Sequence, residues 1–270
     1  MPDKKILVPV DFTKLSDMVI KQAALLSTIS DSVMVLLHIA DKSANHASLS
    51  AALTEKAIAA SKKYNVTCDS IIREGSLFKQ IQAEVEENEY LFMVIGTHGV
   101  RGLKQKLLGS DIMKVITKIC VPVLVVQSTS PYRTSFERIV LPVATHLAYE
   151  NILNAVVIIA KLFRSEVHIY SIERPGFEWP ESIKKNIEKT KAIFSENGIA
   201  HVRVNEKQTV LSIGFANQTL KYAKKAGADM IAIMSVSSEE YHYFAQQDKE
   251  NLLTNEGGLP VLCATNLVKE

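Results

Sequence analysis

Short apolar runs alternate with longer amphipathic stretches along the first half of the chain. Runs of strand length lie at Ile6–Val10, Val33–Ala40, Val66–Arg73, Leu91–Ile95 and Val123–Val126. The stretches between them have apolar residues at helical spacing, at Leu15–Leu26, Ala47–Tyr64, Leu77–Val85 and Leu107–Ile119. This alternation predicts βαβ units that build a parallel sheet with helices on both of its faces.

The second half of the chain repeats the same plan. Ile6–Val10 (ILVPV) returns as Ile139–Val143 (IVLPV), and Pro122–Leu124 returns as Pro260–Leu262. At 270 residues the chain is long enough for two domains. We therefore predict tandem α/β domains at residues 1–127 and 137–270, joined by a polar, exposed linker at residues 128–136.

The charge balance gives no support to two classes of partner. Lys and Arg total 31 against 29 for Asp and Glu, so there is no electrostatic case for nucleic acid or for an anionic membrane surface. The charged start of the chain leads at once into an apolar run, and no cleavable signal or long apolar span is visible. We expect a cytoplasmic protein with no membrane partner.

The segment after Leu91–Ile95 has the composition of a phosphate site. Gly96 and Gly99 follow the predicted strand, and ligands of open parallel sheets lie beyond the carboxyl ends of the strands. Gly109 and Ser110 then open the next predicted helix, whose free amides and dipole favour an anion. Turn-forming glycines and a serine cap remain an alternative. A Walker lysine loop and a G-x-G-x-x-G motif after the first strand are both absent.

These motifs resemble those of a known family. The pattern Gly96-x2-Gly99-x9-Gly109-Ser110 is similar to the G-x2-G-x9-G-[S/T] signature of ATP-binding universal stress proteins. The segments Val8–Thr13, Leu36–Ile39 and Val121–Val126 resemble other hallmarks of that family. The resemblance implies, in each half, a five-stranded parallel, Rossmann-like sheet of the adenine nucleotide alpha hydrolase type.

The resemblance also implies where the base and the ribose would bind. Pro9, Val10 and Asp11 would border the adenine and the ribose, and Ile39 would close on the base. From the residues alone, an Asp at the carboxyl end of a strand is a plausible acceptor for a ribose hydroxyl or an adenine amino group. The alternative for Asp11 is a helix cap or turn residue before the helix that starts near Leu15.

The same resemblance places the phosphates further along the chain. The residues implied for the ribose and phosphates are Gly96, Gly99, Gly109 and Ser110, with the backbone amides of Asp111 and Ile112. The Asp111 carboxylate departs from what a phosphate site prefers, because it would repel the ligand. Arg101, together with Lys104 and Lys106, is placed to offset that charge, and a solvated loop is the alternative for these three.

The aligned positions of the second half lack these features. Asp11 is replaced by Ala144, and the glycine signature is replaced by Met234, Ser237, Gln247 and Asp248. We therefore predict that the second half does not bind ATP in this manner. The resemblance implies that Val123–Val126 pairs with Val261–Ala264, so that the two halves form an intrachain pseudo-dimer.

The leading functional hypothesis is an ATP-binding regulatory or stress-response module with one adenine nucleotide per chain. ATP would bind with or without Mg²⁺, and no water-activating base is evident. A slow ATPase and a nucleotide-free module that binds a small ligand or a protein are the alternatives. A homodimer of the two-domain chain and an unidentified protein partner are further expectations.

Overall fold

A computed structural model gives the structure of the chain and describes residues 4–42, 45–97, 109–146, 149–173, 176, 178–207, 214–236 and 246–267. The first half contains β1 (Lys5–Pro9), α1 (Lys14–Ser30), β2 (Val33–Ala40), α2 (His46–Tyr64), β3 (Cys68–Glu74), α3 (Leu77–Glu87), β4 (Phe92–Thr97), α4 (Gly109–Ile116) and β5 (Val123–Gln127). The second half contains β6 (Arg138–Pro142), α5 (Glu150–Phe163), β7 (Glu166–Glu173), α6 (Glu181–Glu196), β8 (His201–Lys207), α7 (Phe215–Ala226), β9 (Met230–Met234), α8 (Gln246–Leu253) and β10 (Val261–Ala264).

The ten strands described form one sheet, in the order β3-β2-β1-β4-β5-β10-β9-β6-β7-β8. Neighbouring strands are parallel within each half. The halves meet at β5 and β10, which pair antiparallel with Val125 opposite Val261 and Val123 opposite Cys263. The predicted tandem α/β fold and the pairing of its closing strands are therefore confirmed.

Burial explains why most strands have continuous apolar sequences. All residues of β5, β9 and β10 are buried, because helices cover both faces of the sheet and neighbouring strands cover their edges. The outermost strands, β3 and β8, are only partly buried along their length. Among the helices, α1 contacts β1 and β4, and α4 contacts both α3 and, from the other half, α8.

Buried polar side chains also join the halves. The Gln127 amide donates to the Leu259 carbonyl at 3.2 Å. The Thr265 hydroxyl donates to the Ile119 carbonyl at 2.8 Å. The Ser235 hydroxyl shares its single hydrogen between the Ile116 carbonyl at 3.2 Å and the Ala264 carbonyl at 3.0 Å. Two of these bonds satisfy carbonyls at or just beyond the C-terminus of α4, so the second half holds that end of the helix.

The connection between the halves is more firmly held than its polar sequence predicts. The Arg133 amide donates to the Gln22 side chain at 3.2 Å, and the Arg133 guanidinium contacts the Asp229 carboxylate at 2.6 Å. Ser130 and Phe136 are buried. The expectation of a purely exposed linker is therefore corrected, because its residues bind α1 on one side and the start of β9 on the other.

Candidate functional site

The strand order of the first half reverses between β1 and β4, and their pairing stops before either strand ends. The last pair is Leu7 with Met93. The Val10 amide donates to Leu37 in β2 at 2.8 Å, so Pro9, one residue earlier, directs its backbone towards β4. Proline has no N–H to continue that pairing. A crevice is therefore left at the carboxyl ends of the two strands, where open α/β sheets bind ligands.

The backbone of Ile39 faces the space beyond the end of β1. Ile39 lies two residues after Leu37 in β2, so its N–H and C=O are directed to the same side. At that level β1 has already ended, and the chain turns away at Phe12, whose φ is 60°. Ile39 can therefore offer backbone hydrogen bonds at the edge of the crevice, while its own side chain is partly buried.

His38 fixes the end of β1 next to this position. Its Nδ1 hydrogen-bonds the Val10 carbonyl at 2.8 Å, and its ring lies 4.7 Å from the ring of Phe12. Val10 itself is buried. The imidazole therefore supports the end of β1.

The Asp11 carboxylate organises the turn between β1 and α1. Its Oδ1 accepts hydrogen bonds from the Thr13 amide at 3.1 Å, the Thr13 hydroxyl at 2.6 Å and the Ser16 hydroxyl at 2.6 Å. The turn role that the sequence left open is thus observed. Asp11 is also exposed at the crevice, and its contact with a ligand stays a prediction.

Gly96 lies within β4 and pairs with Val126 of β5. The expectation that Gly96 follows the strand is wrong, because β4 and β5 continue to pair through Thr97 and Gln127. A Cβ at Gly96 would lie 2.7 Å from Cγ of Leu15 and 2.8 Å from Cγ2 of Val19. The missing side chain therefore lets α1 pack closely against β4.

The phosphate side of the predicted site is only partly described. Gly99 and Arg101 lie outside the described residues. Gly109, Ser110 and Asp111 form the start of α4 as described, with their backbone helical. The Ile112 side chain is fully buried, so Ile112 can offer a ligand its amide alone.

The second half has a crevice that forms for the same structural reason. Pairing between β6 and β9 stops at Val140 and Ile231. The Val143 amide donates to Tyr170 in β7 at 2.8 Å, so Pro142 directs its backbone towards β9 and has no N–H to offer. Pro142 therefore has the same effect as Pro9 in the first half.

A tryptophan takes the position that a base would take in this second crevice. Ile172 aligns with Ile39, and its carbonyl accepts a hydrogen bond from the Trp179 indole N–H at 3.2 Å. The Arg203 guanidinium lies over the indole ring, 5.1 Å from its centre. The backbone acceptor and the adjoining space are therefore used by side chains of the protein itself.

The carbonyls at the end of β6 are also bound internally. The Asn186 amide donates to the Ala144 carbonyl at 2.8 Å and to the His146 carbonyl at 3.0 Å. The Tyr149 hydroxyl, which is fully buried, donates to the Pro142 carbonyl at 3.4 Å. Burial raises the pKa of Tyr149, so this hydroxyl remains protonated.

The β9 side of the second crevice holds a buried lysine. The Lys249 ammonium donates to the Val236 carbonyl, and Lys249 has no exposed surface. Burial lowers the pKa of Lys249 from 10.5 to about 7. An amine therefore lies next to the segment that aligns with the glycine-rich segment of the first half.

Two replacements in the second half have structural roles. Met234, aligned with Gly96, is buried at the end of β9. Asp248, aligned with Ser110, accepts a hydrogen bond from the Ala216 amide in the first turn of α7 at 3.0 Å. Of the other two aligned positions, Gln247 is exposed in α8 and Ser237 lies outside the described residues.

Sequence reasoning did not identify the side chains that fill the second crevice, namely Tyr149, Trp179, Asn186 and Lys249. One signal was available, because Pro142 repeats Pro9 and so predicts a second crevice. The residues that fill it come from separate elements and have no fixed spacing from that proline.

Two site classes find no support in the part of the chain that the structure describes. Its His, Cys, Asp and Glu residues form no group of three or more that could hold a metal ion. None of its helices combines the length and the apolarity that a bilayer crossing requires.

Comparison with known proteins agrees with this geometry. Residues 3–127 match the model of the universal stress protein family. A universal stress protein from Archaeoglobus fulgidus has the same fold over 99% of this chain and 100% of its own, with 15% identity and a TM-score of 0.76. A protein of unknown function from Pseudomonas aeruginosa covers 98% of this chain and 93% of its own, with 18% identity and a TM-score of 0.67.

The fold also occurs in another setting. The cytoplasmic domain of a prokaryotic cation chloride cotransporter matches 97% of this chain and 95% of its own, with 12% identity and a TM-score of 0.54. No curated protein matches the sequence. The structural matches show the fold, and the family model adds the assignment of the first half: residues 3–127 of this chain form a domain of the universal stress protein family.

Proposed function

We propose that the chain binds one ATP, in the crevice of its first half, and acts as a nucleotide-dependent regulatory module of the stress response. The difference between the two crevices carries this proposal. The edge of the first crevice presents the Ile39 backbone and the exposed Asp11, whereas the second crevice is filled by Trp179 and Asn186. The stress role is supported by the family of residues 3–127.

The base and the ribose are assigned to the ends of β1 and β2. The Ile39 backbone is directed towards the proposed base, and Pro9 and Val10 form the floor beneath it. The Asp11 carboxylate is held by Thr13 and Ser16, so it would accept a hydrogen bond from the ligand without losing conformational entropy. These contacts are proposals that rest on the geometry of the strand ends.

The phosphates are assigned to the start of α4, where unpaired amides and the helix dipole favour negative charge. Gly96, Gly99, Gly109 and Ser110 would border the ribose and the phosphates, with Arg101 offsetting the Asp111 carboxylate. ATP would bind there with or without Mg²⁺. We place the function in the cytoplasm, where ATP is supplied, and divide the chain at residues 127 and 137.

The test is calorimetric titration of the full chain with ATP and Mg²⁺, after any copurifying nucleotide has been removed and identified. We expect one site per chain and no phosphate release over hours. Phosphate release at a steady rate would replace the regulatory proposal with a slow ATPase. No binding at all would remove the nucleotide from the proposal.

A matched pair of variants locates the site. Gly109→Val places a branched side chain at the start of α4, and we expect it to abolish ATP binding. Gln247→Val makes the corresponding change in α8, at an exposed residue, and should leave binding unchanged. Equal affinities in the two variants would contradict the assignment to α4.

A further inference from the structure

The two outermost strands of the sheet differ in how their free edges are protected. Among the described strands, β3 pairs with β2 alone and β8 pairs with β7 alone. A free edge presents unpaired backbone N–H and C=O groups, which can pair with another strand unless charged side chains or other features prevent it. The residues at each edge therefore show which of the two is open to a partner.

Backbone hydrogen bonds identify the residues of β3 that bond outwards. The Thr67 carbonyl accepts from the Met34 amide in β2 at 2.9 Å. Backbone groups alternate along a strand, so every second residue from Cys68 directs its N–H and C=O to the free edge. These residues are Cys68, Ser70, Ile72 and Glu74. The first three of them are uncharged.

The edge of β8 carries positive charge at the aligned positions. The Ala200 carbonyl accepts from the Val167 amide in β7 at 2.8 Å, so the residues that bond outwards begin one position later. They are His201, Arg203, Asn205 and Lys207. Arginine and lysine side chains are typical of edges that do not accept a further strand. The edge of β3 lacks this protection.

The helix beside β3 is uncharged on the side next to the free edge. The Thr54 hydroxyl in α2 lies 3.4 Å from the Ser70 hydroxyl in β3, and Ile58 is 50% exposed. Residues three and four apart share one side of a helix. Those on this side of α2 are Ala47, Ala51, Thr54, Ile58 and Ser61.

The corresponding helix of the second half is charged. Ala51 and Ile58 align with Lys184 and Lys191 in α6. Lys184 lies 3.4 Å from the Glu181 carboxylate, and Lys191 lies 2.8 Å from the Glu188 carboxylate. The contrast between the two halves therefore extends from the edge strands to the helices that follow β2 and β7.

The edge of β3 also has space beside it. A cavity of about 460 Å³ is lined by Thr54 and Ile58 from one face of β3, and by Asn88 and Tyr90 from the other. A cavity that reaches both faces of a strand must pass around the free edge of that strand. A partner that pairs with β3 would therefore meet both faces of the sheet.

The sequence of β3 is complementary to itself in antiparallel pairing. Pairing about Ile71 places Ser70 opposite Ile72 of a second copy, and both residues bond outwards, so they can exchange backbone hydrogen bonds. The same register places the exposed Asp69 opposite Arg73. Opposite charges that face each other across a strand pair are stabilising.

The Arg73 side chain can accept this additional contact. Its guanidinium is held against α3 by hydrogen bonds to the Glu84 and Glu87 carboxylates, through Nε and through one N–H on each terminal nitrogen. A guanidinium has five N–H donors, so two remain for a further carboxylate. The carboxylates of α3 also fix the guanidinium on the face of β3 that carries Asp69.

We propose that two copies of the chain pair antiparallel through β3, about a two-fold axis at Ile71, with the Ile58 side of each α2 in the interface. Each copy supplies one Asp69 and one Arg73, which gives two cross-strand ion pairs. The same surface is used by both copies, so the assembly closes as a dimer. The positively charged edge of β8 remains outside it.

The first experiment measures the oligomeric state of the full chain by sedimentation equilibrium, after any bound nucleotide has been removed. The result then does not depend on the proposed ATP site. We expect a monomer–dimer equilibrium without larger species. A parent chain that stays monomeric would overturn the proposal and leave the edge to a strand of another protein.

A matched pair of double variants locates the interface. Ala51→Lys with Ile58→Lys introduces at exposed positions the lysines of α6, and should raise the dissociation constant of the dimer at least tenfold because like charges meet across the axis. Ala52→Lys with Ala59→Lys adds the same charge at exposed positions on another side of α2, and should leave the dimer unchanged. Equal weakening by the two double variants would contradict the proposed interface.

Disulfide cross-linking tests the register in a Cys68→Ser background. Ile71→Cys places two thiols opposite each other at a pair without backbone hydrogen bonds, where the Cα atoms lie about 4.5 Å apart, within reach of a disulfide. Oxidised glutathione should therefore produce a covalent dimer with Ile71→Cys and not with Ile72→Cys. Circular dichroism checks that both variants fold. Cross-linking through Ile72→Cys alone would overturn the proposed pairing.

The ion pairs provide a further test. Asp69→Lys places two like charges opposite each other on both sides of the axis, at a position that is exposed in the single chain. We expect the dissociation constant of the dimer to rise at least tenfold, and the effect to decrease at high salt. A dimer of unchanged affinity in Asp69→Lys would contradict the pairing of Asp69 with Arg73.

Discussion

At the scale of single residues, Gly96 has a packing role that its motif does not reveal. A Cβ there would lie 2.7 Å from Leu15 and 2.8 Å from Val19, closer than carbon atoms approach in folded proteins. We expect Gly96→Ala to lower the free energy of unfolding by about 1–3 kcal/mol through overpacking. Urea denaturation followed by circular dichroism would measure the change.

Gly257→Ala is the matched control for that substitution. A Cβ at Gly257 would meet its first neighbour at 3.5 Å, an ordinary contact, and its φ is not in the left-handed region. We expect little change in stability. If Gly96→Ala were as stable as Gly257→Ala, the packing argument would be wrong.

A second prediction at this scale concerns Lys249, because a buried ammonium lowers the free energy of unfolding. Lowering its pKa from 10.5 to about 7 corresponds to about 5 kcal/mol at neutral pH or below. Because Lys249→Met also gives up the hydrogen bond to Val236, we expect a gain of roughly 1–4 kcal/mol near pH 7.

The stabilising effect of Lys249→Met should depend on pH. Between pH 7 and pH 10.5 the unfolded chain keeps the Lys249 proton and the folded chain releases it, so the stability of the parent rises with pH. The advantage of Lys249→Met should therefore shrink across this window. Urea titrations of the parent and of Lys249→Met across this pH window would show the decrease, and a constant difference between pH 7 and pH 10 would contradict it.

At the scale of elements, α4 belongs to the first half and is assigned to its proposed ATP site, but its C-terminal end is held by the second half. The Ser235 and Thr265 hydroxyls bind the Ile116 and Ile119 carbonyls at its C-terminal end. We expect Ser235→Ala and Thr265→Val to cost about 1 kcal/mol each. Hydrogen exchange should become faster in residues 109–116, and ATP affinity should fall with it.

Thr28→Val is the control for these hydroxyl deletions. The Thr28 hydroxyl donates to the Ala24 carbonyl within α1 at 2.9 Å and does not bridge the halves. Loss of this hydrogen bond should leave hydrogen exchange in α4 unchanged. If all three variants changed α4 equally, the effect would be a general loss of stability and not the loss of a specific contact.

Elements were more predictable from the sequence than the contents of the crevices. The apolar run Val123–Val126 predicted β5, and the family resemblance implied its pairing with β10. The closure of the second crevice depends on contacts between elements. Asn186 reaches Ala144 across 42 residues, and Lys249 reaches Val236 across a segment with no clear pattern. Such contacts leave no periodic signal in a sequence.

At the scale of the whole molecule, duplication has produced two crevices with different contents in one sheet. The antiparallel pairing of β5 with β10 covers a strand edge in each half, which would otherwise be open to association. The linker adds a second connection through Arg133, which contacts Gln22 and Asp229. The halves therefore share a continuous core and should not unfold separately.

Coupling between the halves can be measured because Trp179 is the single tryptophan of the chain and lies in the second half. Its fluorescence reports unfolding there, whereas circular dichroism reports both halves. In the parent the two signals should give coincident urea transitions. Gly96→Ala, made in the first half, should shift the fluorescence midpoint as far as the dichroism midpoint. A fluorescence transition that stays in place would show that the β5–β10 junction joins two independently folding units, and would contradict the shared core.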